Sequence, residues 1–153
     1  MPPRTLRLAF CGFGHVGRRF AELLGGPYRR PLTRAGVRIL VTGIATGRHG
    51  VAIDRRGLPL GRVLRLLRQG RSIAPLHRGA SVDGTLRFAA TVPADVLVEL
   101  TPLEPRSGEP ATSHVAAALR RGLHVVTANK GPVAFAARRL RALARRNGVR
   151  FLH

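Results

Sequence analysis

Lysine is nearly missing from this chain. Of 27 basic side chains only Lys130 is a lysine, and seven acids leave a formal net charge of +20. Arginine holds its charge and cannot readily hand over a proton, whereas a lysine ammonium is compact, rotates freely and shifts its pKa with surroundings. A lone lysine is therefore a candidate for chemistry. Cysteine is equally scarce: Cys11 has no partner for an internal disulfide and, at the end of an apolar run, reads as a small buried hydrophobe. Tryptophan is absent and aromatics make up 5%, so stacking platforms for bases are few. The arginines fall in scattered pairs such as Arg18-Arg19, Arg120-Arg121 and Arg145-Arg146 rather than in a basic tail. Specific nucleic-acid recognition is not expected; salt-sensitive adhesion to polyanions is. No apolar run is long enough to span a bilayer, and the first leads straight into a glycine turn where a signal peptide would need to be cleaved. A cytoplasmic protein without membrane attachment is expected. His15, His49, His77, His114, His124 and His153 show no metal-binding spacing, so no metal is expected. Ser107 and Ser113 lack a base at any diagnostic spacing, which removes nucleophilic catalysis.

With 153 residues, 44% hydrophobic content and mean hydropathy of +0.02, the chain suits a single globular domain over residues 1–153. Strand-like and helix-like runs alternate along it. Strands are expected at Leu6–Cys11, Val37–Ala45, Asp95–Thr101, around Val125-Val126 and from Val149 to His153, with a short one at Leu86–Ala89 in the least regular stretch. Helices are expected at His15–Leu24, Leu60–Gln69, Glu109–Arg121 and Val133–Arg146, and a loop over Thr46–Pro59. Such alternation predicts an α/β fold of the Rossmann type, a doubly wound, mostly parallel sheet with helices on both faces. The chain stops within a strand, from which a piece of a longer protein is expected.

Two motifs point to a ligand. After the first strand comes Gly12-Phe13-Gly14-His15-Val16-Gly17, and then an amphipathic run. G-x-G-x-x-G between a strand and a helix is the dinucleotide fingerprint: Gly12 for the tight turn, Gly14 for approach to a pyrophosphate, Gly17 for close helix packing. The helix N-terminus receives the negative charge. The second motif, Thr127-Ala128-Asn129-Lys130-Gly131-Pro132, follows a buried strand that delivers Asn129 and Lys130 to the carboxyl edge of the sheet, where open α/β folds bind ligands. Glu99 and Glu104 fall at the same edge, where pairing of one of them with an arginine is expected.

Taken together these residues resemble the N-terminal, NAD(P)-binding domain of homoserine dehydrogenase. The likeness rests on the glycine turn, Gly43-Ile44-Ala45, Asp95 through Pro102, Ser107-Gly108-Glu109-Pro110-Ala111 and, most specifically, Ala117 through Pro132. It implies reversible hydride transfer between a nicotinamide cofactor and the aspartate semialdehyde/homoserine pair. It implies further that the backbone at Phe13, Gly14, His15 and Val16 holds pyrophosphate, that Thr101 lies against the cofactor near its nicotinamide half with Pro102 and Asn129 as further cofactor contacts, and that Lys130 sits beside the reacting centre. Lys130 would then pass a proton to the alkoxide formed from the aldehyde, or only bond a ribose hydroxyl. The family's substrate-binding residues and dimer surface follow this domain, so the chain alone should bind cofactor and turn over nothing, and the full-length enzyme should be a homo-oligomer. Met1 lies too near the first strand to leave room for the kinase domain fused to some members. Other readings are a different NAD(P)-linked reductase or a nucleotide-sensing module on the same fold.

Cofactor choice follows from the end of the second strand. An acid there bonds the ribose 2′-hydroxyl of NAD, and an arginine accommodates the 2′-phosphate of NADP. Ala45-Thr46-Gly47-Arg48-His49-Gly50 has no acid until Asp54, so NADP is expected over NAD, with Arg48 the first candidate ligand and Arg55 the second.

Overall fold

The computed structural model describes residues 3–153. Along them lie β1 (Arg4–Cys11), α1 (His15–Gly25), α2 (Arg29–Arg34), β2 (Val37–Ala45), β3 (Val51–Ile53), α3 (Leu60–Arg68), α4 (Gly84–Thr91), β4 (Val96–Glu99), α5 (Ala111–Arg120), β5 (His124–Thr127), α6 (Lys130–Arg146) and β6 (Phe151–Leu152), with a 3-10 turn at Ala74–Leu76. The strands form one sheet in the order β3-β2-β1-β4-β5-β6. All neighbours are parallel except β3, which runs antiparallel to β2.

Period-two alternation in the central strands builds two cores. Leu8 and Phe10 of β1, with Val96 and Val98 of β4, pack toward Ala21 of α1 and Val63, Leu66 and Leu67 of α3. Ala9 and Cys11, with Leu97, face the opposite way onto Phe88 and Ala89 of α4, Val115 and Leu119 of α5 and Leu140 of α6. A strand buried on both faces has no polar side to alternate with, which is why Leu8–Cys11 of β1 and Val96–Val98 of β4 read as continuous apolar runs. This is the Rossmann-type architecture expected. At Leu8/Ala9 the β1–β2 ladder shifts by one residue, so that Leu8 opposes Val41 and Ala9 opposes Gly43. The extra residue, Thr42, is buried and donates its hydroxyl to Pro93 O at 2.7 Å.

Several expected elements change. Leu86–Ala89 is not a strand but lies within α4: Phe88, Ala89 and Val92 are wholly buried while Leu86 is half-exposed, the i, i+3/i+4 pattern of one helix face rather than alternation. Thr91 confirms the helical turn by donating its hydroxyl to Arg87 O at 2.7 Å. The expected loop at Thr46–Pro59 contains β3, whose three residues are too few to show a period. Within the Gly25–Gly36 connection, α2 is entirely solvent-facing apart from a half-buried Leu32 and so leaves no apolar stripe to read. The final helix begins at Lys130 instead of Val133, because Asn129 caps it by accepting from Gly131 N at 2.9 Å.

Strand order reverses between β1 and β4. Their carboxyl ends, Cys11 and Glu99, are direct ladder partners, and the turns that leave them diverge around a crevice. Phe10 anchors the first of these turns, its ring meeting Phe13 edge-on at 5.2 Å and Phe20 at 5.7 Å between centroids.

Candidate functional site

Gly12 is the point at which three segments meet. Its N–H donates to Ala45 O at 3.0 Å, while Leu100 N donates to Cys11 O at 2.7 Å. Its φ of +87° lies in the left-handed region, and a Cβ there would stand 2.6 Å from Leu100 C and Thr101 N. Only glycine satisfies both demands. Two residues on, a Cβ at Gly14 would meet nothing within 4 Å, so the turn opens onto free space on that side. At Gly17 the close approach is not of helix to strand as expected: a Cβ there would crowd the Phe13 ring at 3.0 Å and the Gly12 carbonyl at 3.4 Å, both within the turn.

The first helical bond of α1 runs from Arg18 N to Gly14 O at 3.0 Å. Gly14, as N-cap, offers no side chain, and the first turn holds no acid. The opening N–H groups and the positive end of the helix are therefore left to a ligand. Arg18 adds an orphan: its Nε is buried with no hydrogen-bond partner.

Two adjoining cavities occupy this end of the sheet. One, of about 360 Å³, is walled by Gly12, Phe13, Gly14, Arg18, Ala45–His49, Thr85, Leu100, Thr101 and Pro102. The other, of about 290 Å³, is walled by Val16, Leu100, Thr101, Leu103, Ala128, Asn129 and Lys130. Leu100 and Thr101 belong to both. A larger hollow of about 590 Å³ lies between Ser107–Thr112 and α6, away from the strand ends. The structure thus brings Gly12, Phe13, Gly14, Arg48, Thr101 and Pro102 around the first cavity and Val16, Thr101, Asn129 and Lys130 around the second. His15 and Arg55 are exposed and line neither. Lys130 is also exposed, as the first residue of α6.

Behind this wall lies a hydrogen-bonded ring absent from the sequence reading. Glu99 is wholly buried, and its Oε1 accepts from Thr101 N at 2.9 Å and from the Thr101 hydroxyl. Its Oε2 accepts from the Thr127 hydroxyl at 2.8 Å, whose oxygen in turn accepts from Asn129 N at 3.0 Å. Asn129 Nδ2 closes the ring by donating to Thr101 O at 2.9 Å. The walls after β4 and after β5 are therefore tied to each other. Burial works to raise the Glu99 pKa, but the His114 ring and the donors on Thr101 and Thr127 prevail and hold it below its ordinary value of 4.5.

The expected pairing of Glu99 or Glu104 with an arginine does not occur. Glu99 has the His114 ring as its neighbour, with Nδ1 at 3.9 Å, and Glu104 accepts from the Ser107 hydroxyl and from Arg106 N and Ser107 N. A sheet-edge acid in a basic chain looks like an arginine partner until the hydroxyls of Thr101 and Thr127 are seen to converge on it. Their two-residue and 28-residue spacings signal nothing in the sequence. His114 itself is wholly buried, bonded to the Thr85 hydroxyl through Nε2 at 2.7 Å and facing Cys11 Sγ through Nδ1 at 3.5 Å. Cys11 is the buried, inert thiol expected: burial, then the Glu99 charge, push its pKa far up. Arg18 could have been found in advance, since it stands one helical turn beyond Gly14.

Residues 12–153 match the family model described as homoserine dehydrogenase, NAD binding domain. The NAD(+)-dependent homoserine dehydrogenase of Pseudomonas canavaninivorans is 38% identical over 146 residues, 95% of this chain and 41% of that protein. The homoserine dehydrogenase of Methanocaldococcus jannaschii is 30% identical over 95% of this chain and 43% of its own length. Among solved structures, the homoserine dehydrogenase of Thermoplasma acidophilum superposes with a TM-score of 0.78 at 26% identity, over 98% of this chain and 43% of that one. The chain spans roughly two fifths of each of these relatives. Among its described residues, no helix is long and apolar enough to cross a membrane. Its glycine turn, its paired cavities and its sequence agree, and the chain belongs to the NAD-binding domain family of homoserine dehydrogenase.

Proposed function

We propose that this chain is the cofactor-binding portion of an oxidoreductase that interconverts L-homoserine and L-aspartate 4-semialdehyde, on the route to threonine and methionine. The observation that carries the reading is the position of Lys130, the lone lysine, beside Asn129 and Thr101 in the cavity next to the glycine turn. Bound there, the nicotinamide cofactor supplies hydride transfer. The N–H groups at the start of α1 and the unpartnered Arg18 hold pyrophosphate, with Phe13, Gly14, His15 and Val16 contributing backbone. Thr101, Pro102 and Asn129 orient the other half, on walls whose positions are set by Glu99. Lys130 holds an oxygen of substrate or ribose through its ammonium, or passes a proton to the substrate oxygen.

Arg48, exposed at the mouth of the first cavity, bonds the 2′-phosphate, which favours NADP. The Pseudomonas canavaninivorans relative is NAD(+)-dependent by name, so NAD is the competing cofactor. Residues 1–153 act as one domain; substrate contacts and the subunit interface of a homo-oligomer belong to the remaining length seen in the relatives. A cytoplasmic location is part of the same reading. Fluorescence titration of the 153-residue chain with NADPH and NADH tests it: saturable binding without turnover of homoserine supports the assignment, and absence of binding to either overturns it. In a protein of the relatives' length, Lys130→Ala should lower kcat by about a hundredfold. An unchanged kcat removes Lys130 from the chemistry.

A further inference from the structure

Every charge at the mouth of the cleft is positive: Arg18, Arg48 and Lys130. Directly behind the wall sits the opposite sign. Glu99 is the one wholly buried acid among the described residues, and it touches the cavities through Thr101, whose hydroxyl and N–H both donate to Oε1. No arginine or lysine among the described residues lies within ion-pair distance of it; its neighbour is His114 at 3.9 Å. The His114 ring, the Thr101 hydroxyl and N–H and the Thr127 hydroxyl hold it ionised, and a charge so enclosed is poorly screened.

In a doubly wound sheet the two halves of a dinucleotide lie on either side of the point where strand order reverses. The first cavity abuts the end of β2, so the adenosine half lies there. The second cavity, over β4 and β5, takes the nicotinamide half. The ring is positively charged when oxidised and neutral when reduced, while the rest of the cofactor is the same in both states. The helix N-terminus and the arginines act on phosphates common to the two forms. Glu99 stands behind the ring's half of the site.

We propose that Glu99 acts through the Thr101 wall as the electrostatic determinant of redox-form preference, favouring the oxidised, cationic nicotinamide over the reduced, neutral ring. The inference rests on the cofactor-site reading given above. Dissociation constants for oxidised and reduced cofactor are measured on the 153-residue chain, the reduced form by its fluorescence and the oxidised form by competition. In Glu99→Gln the ratio of oxidised to reduced Kd rises on the order of tenfold. Glu99→Asp, which restores the charge, returns it to within about threefold of the starting ratio. Equal weakening of both forms in Glu99→Gln makes the residue a brace only and overturns the proposal. A wild-type chain that binds neither form overturns the cofactor-site reading instead. Should Glu99→Gln fail to fold by thermal melt, Thr101→Val decides. It keeps the carboxylate and removes the hydroxyl that offsets it, so the ratio falls by about threefold. A ratio that stays level or rises overturns the proposal.

Discussion

Gly108 and Gly131 pack backbone to backbone. A Cβ on Gly131 would stand 2.7 Å from Gly108 Cα, and one on Gly108 would stand 2.9 Å from the Gly131 carbonyl group. Through this contact the Ser107–Ala111 loop is seated on the start of α6. Gly108→Ala should destabilise the chain by about 2–3 kcal/mol, the left-handed φ of +71° and the collision adding. Gly36→Ala, at a similar φ of +72° with nothing within 4 Å, should lose only about 1 kcal/mol. Urea unfolding of the two variants side by side checks the difference.

Asn129 serves two masters, accepting from Gly131 N as the cap of α6 and donating to Thr101 O across the cleft. Asn129→Ala should lower stability by about 1–2 kcal/mol. Asn129→Asp keeps the acceptor and loses the donor, and should recover roughly half. Thermal unfolding ranks the three proteins; equal losses in both variants would mean the cap contributes nothing.

Arg48 and Arg18 should separate on titration with the two reduced cofactors. Arg48→Ala weakens NADPH binding by at least about tenfold and NADH little, since a charge-assisted bond to the 2′-phosphate exists in only one of them. Arg18→Ala weakens both alike. Equal losses at Arg48 would remove the 2′-phosphate assignment.

The lowered pKa of Glu99 has a sign in solution. A carboxylate bound more tightly as an anion in the folded chain stabilises it fully above the unfolded value, near 4.5, and the contribution is lost as pH falls through the folded value. The stability gap between the wild-type chain and Glu99→Gln should therefore be widest near neutrality and narrow below about pH 4.5. Denaturation curves from pH 7 downward measure it; a gap that widens on acidification would show the carboxyl to be neutral in the fold.

The strands through the middle of the sheet were legible because their carboxyl halves, Leu8–Cys11 of β1, Val41–Ala45 of β2 and Val96–Val98 of β4, are buried on both faces and so write short, largely apolar runs. The glycine turn was legible because Gly12 has no alternative. Helix α4 was misread because Leu86, Phe88 and Ala89 fit a strand as well as a helix over so short a span, and only the joint burial of Phe88, Ala89 and Val92 decides. The ring of Glu99, Thr101, Thr127 and Asn129 was invisible for a different reason. Its members are drawn together by the parallel register of β4 and β5, which pairs Glu99 with Thr127, and pairing between distant strands leaves no local mark.

Because that ring already locks the two cleft walls together, a ligand arriving there finds the geometry prepaid. Freezing backbone on association ordinarily consumes much of the contact energy. Here the loss falls on the long, exposed side chains of Arg48 and Lys130, whose rotamers are still free to be sampled at the rim. Heat-capacity and exchange measurements should thus find a stiff floor and a soft rim: amides at Leu100, Thr101 and Asn129 as slow to exchange without ligand as with it, and a binding entropy set by the rim cations.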